Sequence, residues 1–432
     1  MSPEFIGVIW IAILVLMIFL RVPVAVALIL TGATGYWAVK GFALARITLG
    51  DMPFNLAQAY SLSVVPLFLL MGVVAARSDM ARDLYAAFNV MFGRFRGGVG
   101  MATVGACAGF GAVCGSSLAT ASTMTQVCIP EMRRHNYADR IAAGVVASGG
   151  TLGILIPPSI ILVIYAIIAQ ESVPALFAAA FLPGLLLTAL HIVTLTVVSV
   201  TDPEAIPNPP KVTKQDFTPI LRLWKIVVLF GLVVGGIYGG WFSPTEAAAI
   251  GATLAIILGF ATKTLDPRGL ARCFAETIET TGTLFFIVLG AFVFAAFIVQ
   301  THLPSTLGTW IETAGLPPLL VIGFFLLAYL VLGCFLDSIS MILITVPVFL
   351  PIADAAGYSP VWFGIFVVLV AEIGLITPPV GLNLFVIRAQ APDISLKDIY
   401  RGIVPFIICQ LVTVAILTLV PGLATWLPGL LY

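Results

Sequence analysis

Ten apolar stretches, at 5–20, 23–39, 58–76, 141–169, 174–200, 225–240, 245–262, 274–300, 361–388 and 402–428, occupy much of this chain. A helix that crosses a bilayer needs about 20 mostly apolar residues, so each stretch is a candidate crossing. The rest of the chain cannot redeem it as a water-soluble body. Only 9% of its 432 residues are charged, against about 25% in ordinary soluble domains. That excludes a soluble multi-domain enzyme. A formal net charge of zero excludes a basic nucleic-acid binder. The fold class expected is therefore all-α and polytopic, with the lipid bilayer as solvent.

Two further apolar stretches, 98–130 and 316–353, are long for one crossing and short for two. Each carries polar residues near its middle, Gly115-Ser116-Ser117 in the first and Asp337-Ser338 in the second. Both read as re-entrant helical hairpins, which are tolerated at membrane depth only where the tip is buried in protein or lines a cavity.

Basic residues test this layout, because Lys and Arg concentrate on the cytoplasmic side. Ten crossings and two hairpins put eighteen of them, from Arg21 to Arg401, on one side and only Lys40 and Arg46 on the other. The first side is then cytoplasmic and both termini face the periplasm. Met1 to Phe5 carries no Lys or Arg, so the first apolar stretch does not read as a cleaved signal peptide.

The two halves resemble each other at a nearly constant offset. Pro23 and Pro244, Pro130 and Pro351, Pro157 and Pro378, and Pro158 and Pro379 all share one spacing, and Pro183 and Pro405 differ from it by a single position. This divides the chain into a first repeat (1–200, hairpin 98–130, broken helix 141–169), a linker (201–224) and a second repeat (225–432, hairpin 316–353, broken helix 361–388). The linker is polar and Pro-rich, including Asp202, Glu204, Pro209, Pro210, Lys211 and Lys214, and reads as a plain cytoplasmic connection. Five crossings per half is an odd number, so the second half enters the membrane upside down. Inverted repeats with broken helices and a midplane site at the repeat interface belong to secondary transporters.

Candidate site residues follow from the interruptions. At the first tip, Ser116, Ser117 and Thr120 offer hydroxyls beside helix ends whose N–H and C=O groups lack partners. Hard oxygen ligands suit an alkali cation, and the N–H groups suit a carboxylate. At the second tip, Asp337, Ser338 and Ser340 occupy the repeat-related place. An acid at mid-membrane costs roughly 2.5–3.5 kcal/mol on insertion scales, which a bound cation offsets. In both tips the alternative is a plain N-cap for the second leg. Before Pro157-Pro158 lie Gly149, Gly150 and Thr151, and before Pro378-Pro379 lie Glu372, Gly374 and Thr377. Pro-Pro ends a regular helix, so 141–169 and 361–388 read as discontinuous helices whose freed carbonyls coordinate ions. Cation ligands are thus expected among Ser116, Ser117, Thr120, Gly149, Gly150, Thr151, Asp337, Ser338, Ser340, Gly374 and Thr377. Substrate contacts are expected among Ser117, Thr151, Ser159, Ser338, Thr377 and Asn383.

Other features read as structural. Ser243-Pro244-Thr245-Glu246 is a capping box with Pro at the first helical position. Gly105-x-x-x-Gly109 and Gly111-x-x-x-Gly115 read as close helix packing. The six cysteines form no C-x-x-C pair and read as small buried hydrophobes, and the three histidines make no cluster. Nucleotide-binding and hydrolytic motifs are absent, which leaves an ion gradient as the power source and no catalytic residues or cofactor.

Residues 66–72 (PLFLLMG), 115–120 (GSSLAT), 143–150 (AGVVASGG) with 156–159 (IPPS), 244–249 (PTEAAA), 335–337 (FLD) and 374–383 (GLITPPVGLN) resemble the large, DctM-like permease subunit of tripartite ATP-independent periplasmic (TRAP) transporters. The resemblance covers nearly the whole chain. It implies an elevator-type transporter of the bacterial inner membrane that imports organic acids, often C4-dicarboxylates or sialic acids, coupled to sodium. It also implies two partners, a small four-helix membrane subunit and a periplasmic solute-binding protein. The sodium sites would fall at the two pairs of hairpin tip and broken helix. Three other readings stand beside it: a stand-alone anion symporter, a membrane enzyme using Asp337 and Glu372 as paired acids, and a purely structural scaffold subunit.

Overall fold

The computed structural model describes residues 2–207 and 217–432, which are helical with no strand among them. Pro209, Pro210, Lys211 and Lys214 of the linker lie outside the described residues. Each expected hairpin is present as two helices and a short tip. Gly98–Cys114 and Ser117–Arg134 form the first, and Pro318–Gly333 and Ser338–Ala355 the second. The first tip turns at Gly115, whose φ of 64° lies in the left-handed region that glycine adopts without penalty. Ser116 then caps the second leg by accepting the Ala119 N–H. Asp337 does the same for Ser338–Ala355, accepting the N–H groups of Ile339 and Ser340 at 3.1 Å each. The N-cap reading of both tips therefore holds, and a cap does not preclude a ligand.

Both discontinuous helices are broken where the prolines stand. Asp139–Leu155 gives way to Ile160–Ala169 with a bend of 44°, and Pro360–Ile376 gives way to Leu382–Gln390. The Pro157-Pro158 and Pro378-Pro379 bonds are both cis. Helix bounds recur in register. Ser117–Arg134 and Ser338–Ala355 begin and end at the spacing that separates Pro157 from Pro378, as do Asp139–Leu155 and Pro360–Ile376.

The centre of the molecule is built on the two broken helices. Every residue from Ile141 to Leu155 and from Trp362 to Ile376 is buried, as expected of helices apolar all round. Each packs against both legs of its own hairpin and against Leu396–Leu419. The repeats also interlock. Leu382–Gln390 lies on Ser117–Arg134, and Ile160–Ala169 lies on Ser338–Ala355. An outer group comprises Val24–Lys40, Val64–Arg77, Trp224–Tyr238, Pro244–Ala261 and the long helix Pro267–Gln300. Gly32 lets two of these cross closely: a Cβ there would stand 2.7 Å from the Phe294 nitrogen.

Several boundaries differ from the sequence reading. Seven helices among the described residues are long and apolar enough to cross a membrane, or eight if the bent pair counts as one. The sequence reading expects ten crossings; Pro3–Phe19 and Val24–Lys40 are apolar but hold only 17 residues each. The expected crossing 402–428 is two helices, Leu396–Leu419 and Gly422–Leu431, because Pro421 lacks the N–H that would continue the ladder. Met80–Phe92 and Leu303–Ala314 are additional helices whose charged or polar faces hide them from an apolar scan. Met80–Phe92 carries Asp83, which is buried against Lys225 (2.5 Å) with Arg222 at 3.8 Å. Arg222 at the linker's far end and Lys225 at the start of the second half thus both meet the first half. The capping box at Ser243 and Glu246 forms as expected. Gly105 faces the Phe88 ring and Gly111 faces Gly153, the close packing expected of their spacing.

Candidate functional site

The two hairpin tips, far apart in sequence, meet at one cavity of about 300 Å³. Ser116, Ser117, Asp337 and Ser338 contribute its polar wall from the tips. The opposite wall comes from Pro267–Gln300, through Thr280, Thr283, Leu284 and Ile287. Leu69, Ile154, Ile160, Ile161 and Leu375 close the remainder, and among the described residues no Lys, Arg or His lines it.

The tips and the second broken helix also carry buried oxygens with unused capacity. Ser117 is 1% exposed, Thr120 0% and Ser340 0%, and none of their hydroxyls has a hydrogen-bond partner. Glu372, 1% exposed, accepts the Ser338 hydroxyl on Oε1 at 2.8 Å and has no partner on Oε2. Buried polar groups are paired in the great majority of proteins, and unpaired ones call for a ligand, a water or a functional role. Four such groups, Ser117, Thr120, Ser340 and Glu372, stand on the second hairpin legs and the second broken helix.

The first tip is held tightly to its broken helix. A Cβ on Gly153 would stand 2.6 Å from Thr120 Oγ1 and 3.3 Å from the Ser116 carbonyl oxygen, and one on Gly150 would stand 3.2 Å from the Ser117 carbonyl oxygen. Bare glycines therefore let hydroxyl and carbonyl oxygens crowd the Gly150–Gly153 backbone. The other expected residues are placed differently. Gly149 packs on Cys107 Sγ, and Gly374 packs on Gly333. Thr151 is satisfied, donating to the Ser148 carbonyl at 2.6 Å and accepting from Gln410 Nε2 at 2.6 Å. Thr377 donates to the Ile373 carbonyl. Ser159 caps Ile160–Ala169. Asn383 is fully buried with neither amide atom partnered, but is not among the cavity-lining residues.

Sequence reasoning does not single out Thr280, Thr283 or Gln410, and it gives Glu372 only as part of the broken segment and as half of an acid pair. Glu372 is the findable one. It stands opposite Thr151 at the spacing of the repeated prolines, so the repeat register places an acid where the first half has a threonine. Asp337 and Glu372 have different partners: Asp337 Oδ2 accepts from the N–H groups of Ile339 and Ser340, and Glu372 Oε1 from the Ser338 hydroxyl.

Comparison with known proteins agrees with this architecture. Residues 11–423 match the family described as "Tripartite ATP-independent periplasmic transporter, DctM component". The chain is 36% identical to the C4-dicarboxylate TRAP transporter large permease protein DctM of Pseudomonas aeruginosa, over 87% of this chain and 88% of the relative. It is 30% identical to the sialic acid TRAP transporter permease protein SiaT of Haemophilus influenzae, over 98% of this chain and 68% of that one. Among solved structures, the Alcanivorax borkumensis YdaH transporter shares the fold with a TM-score of 0.58 at 15% identity, covering 87% of this chain and 88% of that chain. An all-helical chain with this site and these relatives is a multi-pass membrane transport protein, not an enzyme, and it belongs to the DctM family of TRAP transporter large permeases.

Proposed function

We propose that this chain is the permease of a sodium-coupled importer of small organic acids in the bacterial inner membrane, supplied by a periplasmic solute-binding protein and assembled with a small membrane subunit. The observation that carries the reading is the convergence of both tips on one cavity, with unpartnered buried oxygens on the second hairpin legs and the second broken helix. Oxygen-only ligands favour a hard cation, and a cation there offsets the absence of any basic side chain to receive a carboxylate. Two of the related permeases are named for a C4-dicarboxylate and for sialic acid, both organic acids, while another is named for ectoine.

In this reading the halves 1–200 and 225–432 are inverted repeats, with both termini periplasmic. The hairpins and broken helices move together as the transport body against the outer helices, in the manner of an elevator. The sodium sites lie at the two pairs of tip and broken helix. Thr280 and Thr283, on an outer helix, are then on the static side of the cavity.

The test is reconstitution of the chain with its small subunit in proteoliposomes, with its solute-binding protein loaded with radiolabelled succinate or sialic acid. Uptake requiring all three proteins and an inward sodium gradient is expected. Uptake without the binding protein would favour a stand-alone symporter, and uptake driven by a proton gradient alone would remove sodium from the account.

A further inference from the structure

A second cavity, of about 400 Å³, lies away from the tips, between Gly98–Cys114, Val173–Thr201 and Trp224–Tyr238, with Phe88 and Phe92 of Met80–Phe92 on its remaining side. Its wall is apolar. The one hydroxyl among the described lining residues, on Thr188, is used within its own helix, donating to the Gly184 carbonyl at 2.8 Å. Two of the enclosing helices, Val173–Thr201 and Thr218–Tyr238, are long and apolar enough to cross a membrane. Leu185 and Val227 at the lips are exposed, so the cavity opens toward lipid.

Its ends are unlike. Met80–Phe92 runs antiparallel to Gly98–Cys114, with Leu84 against Gly109, Phe88 against Gly105 and the Phe92 carbonyl against Gly98. Leu195 lies against Gly100, which puts Ile192 at the Phe92 end as well. Arg94 and Arg96 follow Phe92 directly, both exposed, and none of the ion pairs among the described residues involves either. Arg222 and Lys225, just before Ile226 of the wall, share the single acid Asp83, which leaves a positive charge over there too. At the other end stand Ala112, Ile156 and Phe181, none with a charged residue within nine positions in the chain.

We propose that this cavity is a binding site for an anionic phospholipid, with an acyl chain lying along Ala108, Ala112 and Thr188 and the headgroup phosphate received by Arg94 and Arg96. Basic pockets between membrane helices take anionic headgroups, and Arg meets phosphate with a planar fork of donors. A polar solute has no unused hydrogen-bonding group in this wall to fix it. A zwitterionic lipid fills the cavity but brings no net charge to the arginines. Gly98–Cys114 belongs to the first hairpin and Trp224–Tyr238 to the outer group, so the lipid touches both. Neither the ion nor the solute carried bears on this site.

The experiment is thermal unfolding of the delipidated permease with its small subunit in detergent, titrated with phosphatidylglycerol, with phosphatidylcholine of the same chains, or with glycerol 3-phosphate. Each protein is read against its own lipid-free baseline. Phosphatidylglycerol is expected to raise the midpoint in wild type at a concentration about tenfold below phosphatidylcholine. Arg94→Gln with Arg96→Gln should erase that preference, and Thr188→Phe, which fills the cavity, should abolish stabilisation by either lipid. A preference that survives the double arginine variant, or falls equally in the control Lys397→Gln with Arg401→Gln, overturns the headgroup site. Unchanged lipid response in Thr188→Phe overturns the cavity, and glycerol 3-phosphate acting as well as phosphatidylglycerol overturns the lipid. No stabilisation by either lipid overturns the assignment, as does loss of the small subunit from folded Thr188→Phe, which would give the cavity to that subunit. If Thr188→Phe does not fold, Leu185→Trp at the exposed lip decides.

Discussion

Gly333 and Gly374 pass so closely that a Cβ built on either would stand 2.6 Å from the other's Cα. Gly111 and Gly153 form the matching contact in the first half, where a Cβ on Gly111 would fall 2.1 Å from the Gly153 Cα. Each pair joins the first leg of a hairpin to its broken helix, close in the chain to the cavity-lining backbone. The tips can sit where they do only because these crossings carry no side chains.

Gly111→Ala and Gly374→Ala are accordingly expected to destabilise the protein by about 1–3 kcal/mol through overpacking, outweighing the gain of about 0.8–1 kcal/mol that Ala brings to a helix interior. Denaturant unfolding in detergent measures it. A neutral or stabilising effect would mean that the crossings relax at no cost.

The Thr151–Gln410 bond joins the broken helix of the first half to Leu396–Leu419 in the second. Gln410 Oε1 already lacks a partner, so Thr151→Val strands the Nε2 donor as well. A loss of about 1–3 kcal/mol is expected. The double variant Thr151→Val with Gln410→Leu should cost less than the two single changes together, and a double-mutant cycle reads the difference.

Asp83 and Lys225 are 6% and 8% exposed. Asp83→Ala leaves Lys225 buried without its counter-charge, with an expected cost of about 3–5 kcal/mol. Replacing both, as Asp83→Leu with Lys225→Met, should restore much of the stability. Additive losses in the two single variants and the pair would show that the ion pair carries no coupling.

Arg133 bridges Asp139 and Asp393, and so fastens the end of the first hairpin to the loop after Leu382–Gln390. The hydrogen bond from Arg133 holds the Asp393 carboxyl below its ordinary value. A depressed acid stabilises the fold above its unfolded pKa and loses that contribution as pH falls through its folded pKa. Asp393→Asn should therefore lower the unfolding midpoint at neutral pH, and the gap to wild type should close on acidification below about pH 4. A gap that persists unchanged at low pH would assign the effect to something other than charge.

Ser117→Ala and Asp337→Ala should each raise the sodium concentration needed for uptake about threefold or more while leaving assembly with the small subunit intact. Sodium-titrated transport in proteoliposomes checks this. Unchanged sodium dependence in both variants would remove these two residues from the ion sites.

Much of this architecture is legible in the residues themselves. Ser116 and Asp337 mark the starts of the second legs because capping is local, and Pro157-Pro158 and Pro378-Pro379 mark the breaks because the missing N–H is local too. Long-range pairing is not. Nothing near Ser338 in the chain announces that its hydroxyl reaches Glu372, and nothing near Asn383 shows that its amide is buried away from the cavity. Thr280 and Thr283 escape notice because they sit on an otherwise apolar crossing, where hydroxyls commonly bond their own helix, as Thr283 does with the Glu279 carbonyl. Met80–Phe92 and Leu303–Ala314 escape because hydropathy finds crossings, not the amphipathic helices between them.

Gln390 donates to Ser122 and accepts from Gln126, so the last turn of one half's broken helix is stitched onto the other half's hairpin. During synthesis the whole first half emerges long before Leu382–Gln390 exists. Until then the outer face of Ser117–Arg134, with its polar Ser122 and Gln126, has no permanent neighbour. The early half must wait in the bilayer unfinished, and a chain terminated between the halves would leave that hairpin without part of its support.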